Sequence, residues 1–102
     1  AGDAVLTTTA ERLRRTVAAE DIVGRWGGDE FVVLVCRAIT SSELDDLIDR
    51  LHGALAAPTG MASGPIGASI GVVEVRPSDR RTAGEILRDA DLAMYEAKRA
   101  RR

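Results

Sequence analysis

The run Phe31-Val-Val-Leu-Val-Cys36 limits the fold more than any other stretch of the chain. Six consecutive apolar residues leave no polar face, because side chains along a strand alternate between the two sides of its sheet. Such a strand must be central and covered on both faces, which requires helices on either side of a sheet. Just upstream, Asp21-Ile-Val-Gly-Arg-Trp26 is a second, shorter extended stretch. Gly27-Gly28 joins the two runs, and because glycine takes positive φ without strain, the pair predicts a β-hairpin turning at these two residues.

The flanking segments supply the helices. From Ala4 to about Val17, Leu6, Thr9, Ala10, Leu13 and Val17 fall on one helical face. Asp3 stands where an N-cap belongs, since its carboxylate can accept a free amide of the first turn. Ser41-Ser42-Glu43 open a second helix with Leu44, Leu47, Ile48, Leu51 and Leu55 on one side. A loop rich in glycine and proline spans 57–64, a further strand spans 66–75, and Pro77-Ser78-Asp79 end it. The last helix runs from about Thr82 to Arg99, with Ile86, Leu87, Ala90, Met94 and Ala97 along its core stripe. The order α-β-β-α-β-α predicts an α+β domain, a ferredoxin-like, mostly antiparallel sheet flanked by helices. A complete sheet of that kind would begin with a strand before residue 1. The chain opens at Ala1-Gly2-Asp3 without a methionine and enters a helix at once, so it reads as cut inside something larger.

Composition removes several classes of function. The 102 residues fit one domain, with 45% hydrophobic and 29% charged residues, as in ordinary globular chains. Fourteen basic residues against sixteen acidic ones give a net charge of -2, which offers no general attraction to nucleic acid or an anionic membrane. No apolar run approaches the length of a membrane span. The single cysteine, Cys36, excludes a disulfide framework and a four-cysteine zinc site, and is read as a small buried residue at a strand end. His52 has no second histidine to share a metal with. A cytoplasmic domain is the expectation.

The densest chemical signal is Arg25-Trp-Gly-Gly-Asp-Glu-Phe31. Two glycines bare the backbone to a bulky ligand, and two adjacent carboxylates follow on opposite faces of a strand. A carboxylate there can hold a divalent cation beside a nucleotide phosphate. A surface turn with solvated acids is the plain alternative for any Gly-Gly-acid sequence.

Gly27-Gly28-Asp29-Glu30-Phe31 spells the signature of the GGDEF family, the diguanylate cyclases. From average residue frequencies a chance match at a given position is roughly one in a million. Gly2-Asp3-Ala-Val-Leu6 resembles the family's Gly-Asp-x-Val-Leu helix start, and Ala68-Ser-Ile-Gly-Val72 its Ser-Ile-Gly strand. Ala90-Asp-Leu-Ala-Met-Tyr-Glu-Ala-Lys98 is similar to its final helix. The resemblance spans essentially the whole chain and identifies it as the C-terminal portion of a GGDEF domain.

That resemblance implies condensation of two GTP molecules into cyclic di-GMP with release of pyrophosphate, across a homodimer and with Mg²⁺ or Mn²⁺. It implies that Asp29 is a metal ligand and the general base, and that Glu30 is required for activity and belongs to the metal environment. Gly27 and Gly28 would let the turn lie against GTP. Asp3 would accept from guanine N1 and N2, while Lys98 and Arg102, one helical turn apart, would contact phosphate. Trp26 fills a slot where the family usually carries an aromatic, and hairpin or core packing is its expected role. Two departures stand out. The family's inhibitory product site, Arg-x-x-Asp, is degenerate here: Asp21 is present, but Ala18 replaces the arginine, so product inhibition should be weak or absent. The family's first strand, with its metal-binding Asp, phosphate loop and guanine-reading Asn, is not in this chain, so these residues alone should bind GTP poorly and not turn it over. A GTP-binding regulatory module without cyclase activity is the second reading, and an upstream sensory or regulatory domain is expected. A nucleic-acid module is disfavoured by the charge and by the lack of aromatics for stacking.

Overall fold

The computed structural model describes residues 3–56 and 68–100, with the side chains of Asp3 and Val5 outside that description. In chain order they form α1 (Asp3–Thr16), β1 (Ile22–Gly27), β2 (Glu30–Val35), α2 (Ser41–Ala56), β3 (Ser69–Glu74) and α3 (Ala83–Ala100). This is the expected α-β-β-α-β-α order in an α+β fold. The sheet runs β1-β2-β3, so the all-apolar run is the middle strand.

The sheet is mixed rather than mostly antiparallel. β1 and β2 pair antiparallel, because a two-residue turn can only reverse the chain. β2 and β3 pair parallel over six residues, from Glu30 opposite Ser69 to Val35 opposite Glu74. The 16-residue α2 makes this possible by carrying the chain back to the end where β2 began.

Strand alternation then sorts β2 into two cores. Phe31, Val33 and Val35 point to the layer of α1 and α2, where Leu6, Leu13, Leu47, Leu51 and Leu55 bury against them. Val32 points the other way, to Val73 and to Ala90 and Met94 of α3. Phe31 is the aromatic of the main core, while Trp26 and Tyr95 are 40% and 58% exposed. The rest of the core is aliphatic, as the composition required. Leu87 departs from the expected stripe and lies half exposed, while Ala90 and Met94 farther along α3 are buried.

Local hydrogen bonds account for the element boundaries. α2 and α3 each start with a reciprocal capping box. Thr40 N–H donates to Glu43 at 2.9 Å while Glu43 N–H donates to the Thr40 hydroxyl at 3.1 Å. Thr82 and Glu85 repeat the pattern at the same distances. The cap of α2 is therefore Thr40, one residue ahead of the serines that the sequence pointed to. Between β3 and α3, the Arg81 guanidinium donates to the Glu74 carbonyl at 2.6 Å and to Asp89 at 2.7 Å, and also binds Asp79. One side chain thus ties the strand end, the turn and the helix together.

Candidate functional site

The hairpin tip is displaced by one residue from its predicted place. Gly27 is still in β1 opposite Glu30, and the two turn residues are Gly28 and Asp29. Neither glycine uses left-handed φ. At Gly27 an added Cβ would press on the Glu30 carboxylate, so a larger residue there would displace that side chain from its place. Around Gly28 a Cβ would meet nothing within 4 Å. Among the described residues nothing asks for glycine at that position, so its surface is open to another molecule. Arg25 braces the tip from below, its guanidinium donating to the Gly28 carbonyl at 2.8 Å and 3.1 Å and to that of Gly27 at 3.3 Å.

The tip is also tied to the rest of the fold. The Asp29 carbonyl accepts from Ser69 N–H at 3.1 Å, which fastens the turn to the start of β3. Glu30, the first residue of β2, has a side chain only 19% exposed, and its Oε2 lies 2.7 Å from Lys98 Nζ on α3. Two residues singled out from the sequence, 68 positions apart, thus meet in one ion pair. Farther along the same helix, Trp26 Nε1–H donates to Asp91 Oδ1 at 3.1 Å. Trp26, 40% exposed, is therefore outside the core and makes a directional contact from the hairpin to α3. Between the two contacts lies a cleft of about 370 Å³, lined by Trp26, Glu30, Asp91, Met94, Tyr95 and Lys98.

The donor set suits a hard cation bound together with a nucleotide. Asp29 and Glu30 offer carboxylate oxygens from consecutive residues. Among the described residues no group of three or more His, Cys, Asp or Glu side chains converges. A Mg²⁺ held by one or two carboxylates completes its sphere with water and substrate phosphates. These two carboxylates fit that mode.

The remaining candidates are placed differently. Asp3 begins α1, but its side chain lies outside the described residues, as does all of Arg102. Asp21 sits at the other end of the hairpin from the tip, with its carboxylate fully buried. It accepts from Ala18 N–H and Cys36 N–H, each at 3.0 Å, and pairs with Arg37 Nε at 3.2 Å. Asp21 is thereby committed to closing the α1–β1 and β2 junctions. Cys36 is half-buried rather than buried, and burial together with the Asp21 charge pushes its thiol pKa up. His52 is exposed on α2. Sequence reasoning missed Arg25 and the Trp26–Asp91 bond. The one available signal was that Asp91 and Lys98 are seven residues apart, two helical turns, and so share a face of α3.

The family profile described as "Diguanylate cyclase, GGDEF domain" matches residues 1–102. The chain belongs to the GGDEF family. It is 35% identical over 104 residues to the diguanylate cyclase TpbB of Pseudomonas aeruginosa, covering 100% of this chain and 24% of that protein. It is 38% identical over 99 residues to MucR of the same species, a bifunctional diguanylate cyclase/cyclic di-GMP phosphodiesterase, covering 95% of this chain and 14% of that protein. An uncharacterized 19.3 kDa protein of Streptomyces ambofaciens is 40% identical over 105 residues, covering 100% of this chain and 55% of that protein. The chain thus spans a quarter or less of the two named enzymes. No solved structure matches it. No helix of the described residues is long and apolar enough to cross a membrane.

Proposed function

We propose that this chain is the C-terminal portion of the catalytic domain of a diguanylate cyclase, condensing two GTP into cyclic di-GMP and two pyrophosphates. The observation that carries the proposal is the meeting of opposite charges beside bare backbone. Glu30 and Lys98 form a 2.7 Å pair lining the cleft, and Glu30 directly follows the Gly28-Asp29 turn in the chain. A metal-bound triphosphate needs both signs in one place, carboxylate for the cation and ammonium for the phosphates.

In each half-reaction the ribose 3′-oxygen attacks the α-phosphorus of the facing nucleotide. An O–P bond forms there, and the bond from that phosphorus to the bridging oxygen breaks, releasing pyrophosphate. Asp29, at the hairpin turn, takes the 3′-hydroxyl proton as general base. Glu30 and Asp29 hold the Mg²⁺ or Mn²⁺, and Lys98 and Arg102 contact the phosphates. Asp3 accepts from the guanine edge, and Gly27 and Gly28 admit the nucleotide close to the backbone. The bound cation supplies neutralisation of phosphate charge. Two nucleotides must face each other, so catalysis needs a homodimer, assembled in the cytoplasm under the control of an upstream sensory or regulatory domain. The ligands of a preceding strand complete the site, so residues 1–102 alone bind GTP poorly and are inactive.

A regulatory GTP-binding module is the second reading. Retention of both Asp29 and Glu30 favours the enzyme. The test is turnover of GTP with Mg²⁺ by the full-length protein, with mass detection of cyclic di-GMP, beside Asp29→Ala. Product from the wild type alone is expected. GTP binding without product would transfer the assignment to the regulatory reading. Feedback by product is weak, because Ala18 offers no guanidinium fork and Asp21 already serves the fold. Tight calorimetric binding of cyclic di-GMP at this site would contradict that statement.

A further inference from the structure

We propose that the Trp26–Asp91 hydrogen bond is a positioning element for the site just described: it sets the register of α3 against the hairpin and so holds Lys98 on Glu30. The inference rests on the proposed GTP site and gives a role to Asp91, to which the resemblance assigned none, and a new one to Trp26, which was expected only to pack.

Four observations lead to it. Asp91 and Lys98 are two turns apart on one face of α3, and their partners Trp26 and Glu30 flank the hairpin turn on its two strands. The two contacts are therefore parallel ties between the same two rigid elements. Second, the packing beneath them is shallow. α3 meets the sheet through Ala90, Ala93 and Met94, with its backbone so close that a Cβ on Gly71 would lie 2.8 Å from Met94 N. Two of these three side chains are alanines, whose low ridges resist axial slip weakly, so directional contacts add to what Met94 alone provides for the register. Third, Trp26 is 40% exposed, so its ring is poorly used as core, while its indole N–H has a charged acceptor at 3.1 Å. Fourth, Lys98 reaches Glu30 through a long flexible stem that is 44% exposed. A stem of this kind has many rotamers and holds one carboxylate reliably only if its Cα is fixed at the right distance.

Trp26 and Asp91 are positioning residues. They touch neither metal nor phosphate and act through Lys98. The indole and carboxylate also wall the cleft, so a shift of α3 would change its width at the point where Lys98 enters.

The decisive experiment is a double-mutant cycle in the full-length protein, read by calorimetry as GTP affinity in Mg²⁺. Trp26→Phe keeps a ring and deletes the donor. Asp91→Ala deletes the acceptor, and Asp91→Asn retains an acceptor oxygen. Freeing one long side chain predicts a loss of about three- to tenfold in affinity for Trp26→Phe and for Asp91→Ala. Asp91→Asn is expected to stay within about twofold of wild type. In a Lys98→Met background, Trp26→Phe should have no further effect. Equal losses in both backgrounds, or no loss with Lys98 present, would overturn the inference. If the wild type binds no GTP, the proposed function fails. Crystal structures of wild type and Trp26→Phe then decide the inference separately. A Lys98–Glu30 pair unchanged in the variant overturns it, and a displaced Lys98 supports it.

Discussion

Gly71 and Gly28 belong to two motifs of the same family yet answer to different physics. At Gly71 an added Cβ would meet backbone atoms of α3 at 2.8 Å and 3.1 Å, atoms that cannot rotate away. Gly71→Ala should therefore push α3 off β3 and destabilise the fold by about 1–3 kcal/mol, seen as a lower urea midpoint at unchanged slope. Gly28→Ala meets nothing within 4 Å and does not sit at left-handed φ. Its stability should stay level or rise by up to about 1 kcal/mol, because the unfolded chain loses freedom, while GTP affinity falls. Equal destabilisation of both variants would show that Gly28 serves the fold and not a ligand. The sequence marked both glycines, but only the distance to α3 separates their roles.

Among the elements, the helix starts carry much of the local specification. The capping boxes at Thr40 and Thr82 each satisfy two backbone donors that a helix start leaves open. Thr40→Ala and Thr82→Ala should each destabilise by about 1 kcal/mol in thermal unfolding, and additively, since they cap different helices on opposite faces of the sheet. The β3–α3 connection adds a pH dependence. Hydrogen bonds from the Arg81 side chain and backbone hold Asp79 at a pKa of about 2, below its ordinary 3.8. A depressed folded-state pKa means that this contribution is fully present above about pH 4 and fades as pH falls toward 2. Acid unfolding of Arg81→Met at low salt should lose that part of the pH slope. An unchanged slope would assign it to other carboxylates. Thr-x-x-Glu is visible in a sequence, and so is helical periodicity, which is why element order and type were legible. Arg81 was not, because its three partners lie in a strand end, a turn and a helix.

For the whole molecule, the consequence of a two-sided strand is one cooperative unit built around β2. Leu47 of α2 is fully buried in the core that holds Phe31, Val33 and Val35, and the other side of the same strand carries α3. Leu47→Ala should cost about 2–5 kcal/mol, a large share of a small domain's total stability. Far-UV circular dichroism and Trp26 fluorescence should then fall at one midpoint, although Trp26 lies on the α3 side. Two midpoints would mean that the α1–α2 layer and the α3 layer unfold separately.

From its residues alone this chain declared a central strand covered on both faces, a glycine hairpin, three amphipathic helices and a five-residue signature. Each depends on near neighbours in sequence, through strand alternation, helical spacing and turn chemistry. Tertiary structure alone decided the rest: the parallel pairing of β2 with β3, the turn at Gly28-Asp29, the exposure of Leu87, and the burial of Asp21 in its own junction. It also decided that Lys98 would meet Glu30 and that Asp91 would meet Trp26. Such outcomes turn on the packing distance between elements far apart in the chain, and that distance is a property of the assembled core, written in no local pattern.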